Sequence, residues 1–104
     1  MIILKEKKRI AEDQITLQNF LKYYNKAKID HIEYYPYGHS MGKGTAYVEI
    51  QGAKLSVSGA FITIAGISST LLFNASEVAY VSYLDNTNFH IFMKNKGKII
   101  IIFQ

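Results

Sequence analysis

The sequence contains no cysteine and no tryptophan, and only one proline among its 104 residues. Without cysteine, disulfide bonds and thiolate-ligated metal sites are excluded. Small secreted domains often depend on disulfides, so their absence favours a reducing compartment, and we expect a cytoplasmic protein. Charged residues make up only 19% of the chain, against roughly 25% in an average globular protein.

Long hydrophobic runs are also missing. The longest nearly apolar stretch covers residues 60–67, far short of the roughly 20 residues that a membrane-spanning helix requires. At the start of the chain an apolar segment precedes a basic one, which is the reverse of the order in a secretory signal. The sequence therefore predicts neither a membrane span nor an export signal.

What the chain does contain is a large share of hydrophobic and aromatic residues. Hydrophobic residues make up 49% and aromatic residues 13%, from eight tyrosines and six phenylalanines. Tyrosine, phenylalanine and the β-branched residues suit the pleated, half-buried surface of a strand. The length is typical of one domain, so we expect residues 1–104 to form a single, mostly β domain.

One segment has the periodicity of an amphipathic helix. Thr16 is a suitable N-cap, because its hydroxyl can accept a hydrogen bond from the first turn. Ile15 and Phe20 have the spacing of a hydrophobic staple. A helix over about residues 17–28 would place its apolar residues on one stripe, namely Leu17, Phe20, Leu21, Tyr24 and Ala27.

After the helix, the hydrophobic period changes to the value of two that is typical of strands. Strands are predicted at residues 31–35, 45–50, 54–58, 61–64, 78–83, 89–93 and 99–103, with turns at 51–52, 85–88 and 95–97. Residues 2–5 are a candidate for a further short strand, and residues 65–72 fit a loop, a short helix or a strand. The short turns predict antiparallel pairing.

The predicted fold is therefore mostly β (α+β), a small antiparallel curved sheet or half-open barrel of about six to seven strands with one N-terminal helix. The last strand, residues 99–103, is apolar at every position. Because an exposed strand of this kind would aggregate, we expect it to be covered by barrel closure, by the helix or by a second copy of the chain.

The strand spacing of residues 61–64, 71–78 and 89–103 resembles that of small bacterial pleckstrin-homology-like barrels. The match includes a Glu-Val corner at residues 77–78 and a short turn at residues 95–97. The resemblance implies a small barrel, although the helix here comes first whereas that family ends with one. The PUA-like fold, another small barrel with an early helix, fits equally well.

No motif in the sequence predicts catalysis or a resident cofactor. The glycine-rich residues 38–44 lack the spacing of a phosphate-binding loop. Ser40 lies in Gly-His-Ser-Met-Gly, but a nucleophile elbow needs a larger α/β sheet. His31 and His39 flank a turn that Glu33 or Glu49 could approach, yet nothing in their spacing requires a metal site. We expect no catalytic residue, metal or cofactor, and a small enzyme is our third hypothesis.

The net charge of +4 lies entirely within residues 1–28, which suggests a negatively charged partner. A tyrosine-rich segment with glycine and lysine follows, and single-stranded nucleic acid is held by such rings and cations. We therefore predict a non-enzymatic module for RNA or single strands. The residues expected to contact phosphates are Lys7, Lys8, Arg9, Lys22 and Lys26, and those expected to hold bases are Tyr35, Tyr37 and Lys43.

The alternative hypothesis is a protein-interaction or assembly module without a nucleic-acid role. Its basis is the isoleucine-rich last strand, which could seal a homodimer. This hypothesis needs no basic surface, so the oligomeric state of the chain separates it from the first.

Overall fold

A computed structural model describes residues 13–36 and 48–104. Within those ranges the chain forms one open antiparallel sheet of eight strands with a single α-helix. The elements are β1 (Asp13–Ile15), α1 (Leu17–Tyr24), β2 (Lys28–Tyr35), β3 (Val48–Ser58), β4 (Phe61–Ala65), β5 (Thr70–Asn74), β6 (Val78–Asp85), β7 (Asn88–Met93) and β8 (Lys98–Phe103), with a 3₁₀ turn at Ala75–Glu77. The strands follow the order β1-β6-β7-β8-β2-β3-β4-β5, which leaves β1 and β5 at the edges.

The mostly β architecture with one early helix is confirmed, and so is the helix start. Thr16 Oγ1 accepts a hydrogen bond from the Asn19 amide at 3.1 Å. Phe20 is fully buried. The other residues of the predicted stripe, Leu17, Leu21, Tyr24 and Ala27, pack against the core.

The predicted helix end at residue 28 is wrong, because α1 ends at Tyr24. Lys26 takes a positive φ of 70°, and its amide donates to the Leu55 carbonyl at 2.7 Å. The Leu55 amide in turn donates to the Ala27 carbonyl at 3.1 Å. These bonds to β3 replace the bonds that would continue the helix, a tertiary effect that local periodicity does not register.

The predicted turn at residues 51–52 is also wrong, because β3 runs through it as one strand. Its first part pairs with β2 and its last part with β4, so the strand changes partners along its length. Gly52 accommodates a φ of 61° inside the strand, a conformation that glycine adopts without steric cost. Residues 66–69 form a loop, and β5 begins at Thr70.

The isoleucine-rich last strand lies in the middle of the sheet. As β8 it pairs with β7 on one side and with β2 on the other. Ile99, Ile101 and Phe103 are buried, whereas Ile100 and Ile102 are half-buried. The expectation that this strand is covered is therefore confirmed, although the sheet that covers it is open and not a closed barrel.

The helix packs on one face of the sheet, which we call the inner face. The ring of Phe20 lies 4.9 Å from that of Phe89 and 6.0 Å from that of Phe103, measured between centroids. The opposite face is the outer face. In the described part of the chain, no helix combines the length and hydrophobicity needed to cross a membrane.

Candidate nucleic-acid interface

Three neighbouring strands align aromatic and basic side chains in one row on the outer face. Tyr80 of β6 pairs with Phe92 of β7, which pairs with Lys98 of β8. The Tyr80 and Phe92 rings are stacked, with centroids 4.5 Å apart and planes 16° from parallel. The Lys98 Nζ lies 5.2 Å from the centroid of the Phe92 ring. We call these three residues the outer aromatic row.

This row combines a ring that a base can reach with a nearby cation. Tyr80 is 44% exposed at one end of the row. Stacked rings are a sequence-tolerant platform for bases, because every base has a π-face, and lysines beside them contact phosphates. Aromatic side chains on an open sheet face hold single-stranded RNA in the same manner.

The turn that joins β7 to β8 adds two exposed lysines at the same end of the sheet. The Met93 amide donates to the Gly97 carbonyl at 2.8 Å, and the Lys96 amide donates to the Met93 carbonyl at 3.0 Å. Asn95 Oδ1 accepts from the Gly97 amide at 2.8 Å. These bonds fix the turn, so Lys94 and Lys96 extend into solvent beyond Lys98.

Tyr35, a predicted base-contacting residue, is the next residue in this row, because it pairs with Lys98. It is only 5% exposed, and its hydroxyl donates to Glu33 Oε1 at 2.7 Å. Its ring therefore presents no open face to a base in this conformation. Tyr35 instead orients a carboxylate beside the row.

Glu33 is bonded on both of its oxygens. Besides accepting from Tyr35, it lies 3.3 Å from the Nε2 of His31 through Oε2. The Tyr35 hydrogen bond lowers the pKa of Glu33, and His31 adds to that effect while partial burial opposes it. The carboxylate is thus ionised at neutral pH, and each of its oxygens already contacts a neighbouring side chain.

The other described residues of the predicted site lie elsewhere. Lys22 is on the last turn of α1 and Lys26 follows it, and both are exposed. The amide of Lys26 bonds to β3 next to Lys54, which faces Lys28 across the β2–β3 pair. This lysine group lies at the opposite end of β2 from Tyr35, so the structure does not join the two halves of the predicted site.

The remaining predicted site residues lie outside the described residues. They are Lys7, Lys8, Arg9, Tyr37 and Lys43, and their roles stay predictions.

The histidine and carboxylate residues considered for a metal form no metal-binding group within residues 13–36 and 48–104. His31 and Glu33 are in contact, but Glu49 accepts a hydrogen bond from the Gln51 side chain at 2.6 Å instead. His39 lies outside the described residues.

Sequence reasoning missed the outer aromatic row, although part of the signal was present. The turn at residues 95–97 was predicted, and a hairpin about it places Phe92 close to Lys98. Tyr80 could not be assigned, because simple alternation from the buried Val78 points it inward. A register shift between Val78 and Tyr80 reverses its direction, and such bulges leave no clear mark in a single sequence.

Neither a protein-family model, nor a curated protein, nor a solved structure matches this chain. The chemistry of the described surfaces is therefore what indicates a function.

Proposed function

We propose that the protein is a non-enzymatic module that binds single-stranded nucleic acid, RNA in particular, on its outer face. The observation that carries the proposal is the outer aromatic row, in which stacked rings on an open sheet lie beside a lysine. Tyr80 would stack on a base, and Lys94, Lys96 and Lys98 would contact the phosphates that flank it.

The architecture favours a single strand over duplex DNA. The major groove is most often read by a helix whose outward side chains reach the base edges. In the described residues the only α-helix has eight residues and packs its apolar stripe on the sheet. A sheet face, by contrast, accepts bases that are unstacked and splayed, as they are in single strands.

The phosphate contacts are tested by measuring fluorescence anisotropy of a random single-stranded RNA pool over a range of salt concentrations. The logarithm of affinity should fall with the logarithm of salt, by about 0.7 per phosphate contact. The double variant K94Q/K96Q should reduce that slope by about 1.4. The matched control is K28Q/K54Q, which removes the same charge at the far end of β2 and should change the slope little.

Three results would contradict this proposal. Binding could be absent at low salt, it could be insensitive to salt, or the two double variants could weaken it equally. If both double variants weakened RNA binding equally, the RNA would be attracted by the net charge of the protein and not by a defined surface.

Base stacking is tested separately with Tyr80→Leu, which keeps an apolar side chain and removes the ring. The binding free energy should weaken by about 1–3 kcal/mol, a loss of affinity of roughly five- to 150-fold, if one base stacks on Tyr80. Tyr23→Leu removes another exposed ring, on α1, and should leave RNA affinity unchanged. Far-ultraviolet circular dichroism of both variants verifies that each is folded.

A second candidate function, self-assembly, is favoured by one observation at the sheet edge. Pairing through β8 is unavailable because that strand is internal, but β5 has β4 as its sole strand neighbour in the described part of the sheet. Its sequence, Thr-Leu-Leu-Phe-Asn, carries no charge or proline that would block pairing, and Leu72 is 59% exposed.

Sedimentation velocity over a concentration series tests this second candidate. We expect a dimer that Leu72→Lys converts to a monomer, because a lysine on an edge strand opposes edge-to-edge pairing. Leu84→Lys, at another exposed leucine, is the control. A wild-type chain that remains monomeric at high concentration rules out this candidate without affecting the RNA proposal.

A further inference from the structure

A groove of about 400 Å³ lies between α1 and the β6–β7 turn, on the helix side of the sheet. Its volume falls within the range of small-ligand sites. The residues that line it are mainly aromatic: Ile15, Tyr23, Tyr24, Tyr83, Asn86 and Phe89. Since the outer aromatic row is on the other face, any ligand of this groove is independent of the proposed nucleic-acid surface.

The aromatic walls of the groove are held in place by contacts to one another. The Tyr24 and Phe89 rings meet edge to face, with centroids 4.7 Å apart. Tyr83 lies 5.5 Å from Phe89. The Tyr24 hydroxyl donates to the Asn86 carbonyl at 2.8 Å, which ties the helix to the turn. The groove is therefore formed before any ligand enters, and little ordering cost accompanies binding.

Two carboxylates belong to residues next to the groove lining. Asp13 faces Tyr83 directly across the β1–β6 pair, and directly opposed side chains are about 5 Å apart at Cβ. Asp85 directly precedes Asn86 of the groove lining, and Thr87 donates to its Oδ1 from both the amide and the hydroxyl at 2.8 Å. Those hydrogen bonds lower the pKa of Asp85, so it is ionised at neutral pH.

The charge of Asp85 acts on Tyr24, which lines the groove. Burial is the main reason that the pKa of Tyr24 is raised, and the negative charge of Asp85 raises it further. The ring faces also carry negative potential from their quadrupoles. One of the lining rings already contacts a cation, since the Lys22 Nζ lies 5.9 Å from the centroid of Tyr23.

We propose that this groove binds a small organic cation with a quaternary ammonium group. Such a cation is attracted to ring faces and to carboxylates. Because a quaternary ammonium group is weakly hydrated, it loses less hydration free energy than a primary amine does when it enters an apolar site. An anionic ligand is disfavoured, since Asp13 and Asp85 would repel it.

The test uses the full chain with ¹³C-labelled tyrosine rings, titrated with choline and followed by NMR at constant ionic strength. The matched neutral probe is 3,3-dimethylbutan-1-ol, which has the shape of choline without its charge. We expect saturable shifts of Tyr23 and Tyr83 with choline. The neutral probe should bind about three- to tenfold more weakly, the range expected for a cation–π contribution.

Three substitutions test whether the groove prefers a positively charged ligand. Asp13→Asn and Asp85→Asn should each weaken choline binding by about threefold, and the asparagine at 85 can still accept the Thr87 bonds. Lys22→Gln should strengthen choline binding, because it removes a like charge from the Tyr23 ring. Tyr80→Leu, on the outer face, is the control and should leave it unchanged.

Each contrary outcome overturns the proposal. Equal binding of choline and the neutral probe would make the groove merely apolar. Tighter binding of adenosine monophosphate, weakened by Lys22→Gln, would assign it to an anionic nucleotide. Shifts that do not saturate in the millimolar range would mean that the groove is no site for this class of ligand.

Discussion

The two faces of the central strands β2, β8 and β7 differ in how their side chains are stabilised. On the inner face one row consists of Ile32, Ile101 and Phe89, all buried and apolar. On the outer face the adjacent row is Glu33, Ile100 and His90. The inner face depends on packed volume, whereas the outer face depends on particular hydrogen bonds and charges.

The largest expected effect contrasts two neighbouring isoleucines of β8 that point to opposite faces. Ile101→Ala removes a fully buried side chain and should lower the free energy of unfolding by about 2–5 kcal/mol. Ile100→Ala removes a half-buried one and should cost about 1 kcal/mol. Urea unfolding monitored by circular dichroism measures both.

An equal loss of unfolding free energy in the two isoleucine variants would contradict the stated difference between the faces. That result would mean that the outer face is packed as tightly as the inner one.

The second prediction concerns the helix that covers the inner face. Thr16→Ala removes the acceptor for the Asn19 amide and should lower the free energy of unfolding by about 1 kcal/mol, the usual cost of losing an N-cap. Thr16→Ser keeps a hydroxyl and should stay close to wild type. If both variants behave alike in urea unfolding, the cap contributes nothing to holding the helix on the sheet.

Most of the inner face could be predicted from sequence, because burial imposes a period on the chain. The stripe from Leu17 to Tyr24 and the predicted strand at residues 89–93 both contain residues that the structure places in or against the core. The helix end escaped prediction, since the bonds between Lys26 and Leu55 join segments far apart in sequence.

The outer face could be predicted only in part. Register shifts next to Asp30 in β2 and Ala79 in β6 change which side chains point outward. A shift of one residue reverses the face of everything beyond it, so Tyr80 was missed. Tyr35 was placed in the site for its ring, but its burial against Glu33 depends on a fold that spacing does not reveal.

The third prediction concerns the hydrogen bond between Tyr35 and Glu33 on the outer face. In a double-mutant cycle of Tyr35→Phe and Glu33→Gln, the coupling free energy should be about 0.5–1 kcal/mol. This is below the usual value for a hydrogen bond to a charged group, because Glu33 retains contact with water. A coupling of zero would show that the charge of Glu33 adds nothing to its bond with Tyr35.

The smallest effect is the pH dependence that Glu33 contributes on the outer face. The Tyr35 hydrogen bond, with help from His31, lowers the pKa of Glu33 below its ordinary value of 4.5. The unfolded chain therefore binds the proton more readily than the folded one, so the contribution is complete above that value and is lost as the pH falls through the folded pKa. The stability difference between wild type and Glu33→Gln should be constant near neutral pH and shrink below about pH 4.5.

Unfolding experiments at a series of pH values measure this difference. The inner-face control is Ile101→Ala, whose loss of stability should not depend on pH in this way. A difference that grows on acidification would mean that the carboxylate is held in its protonated form, and the outer face would then be polar but uncharged.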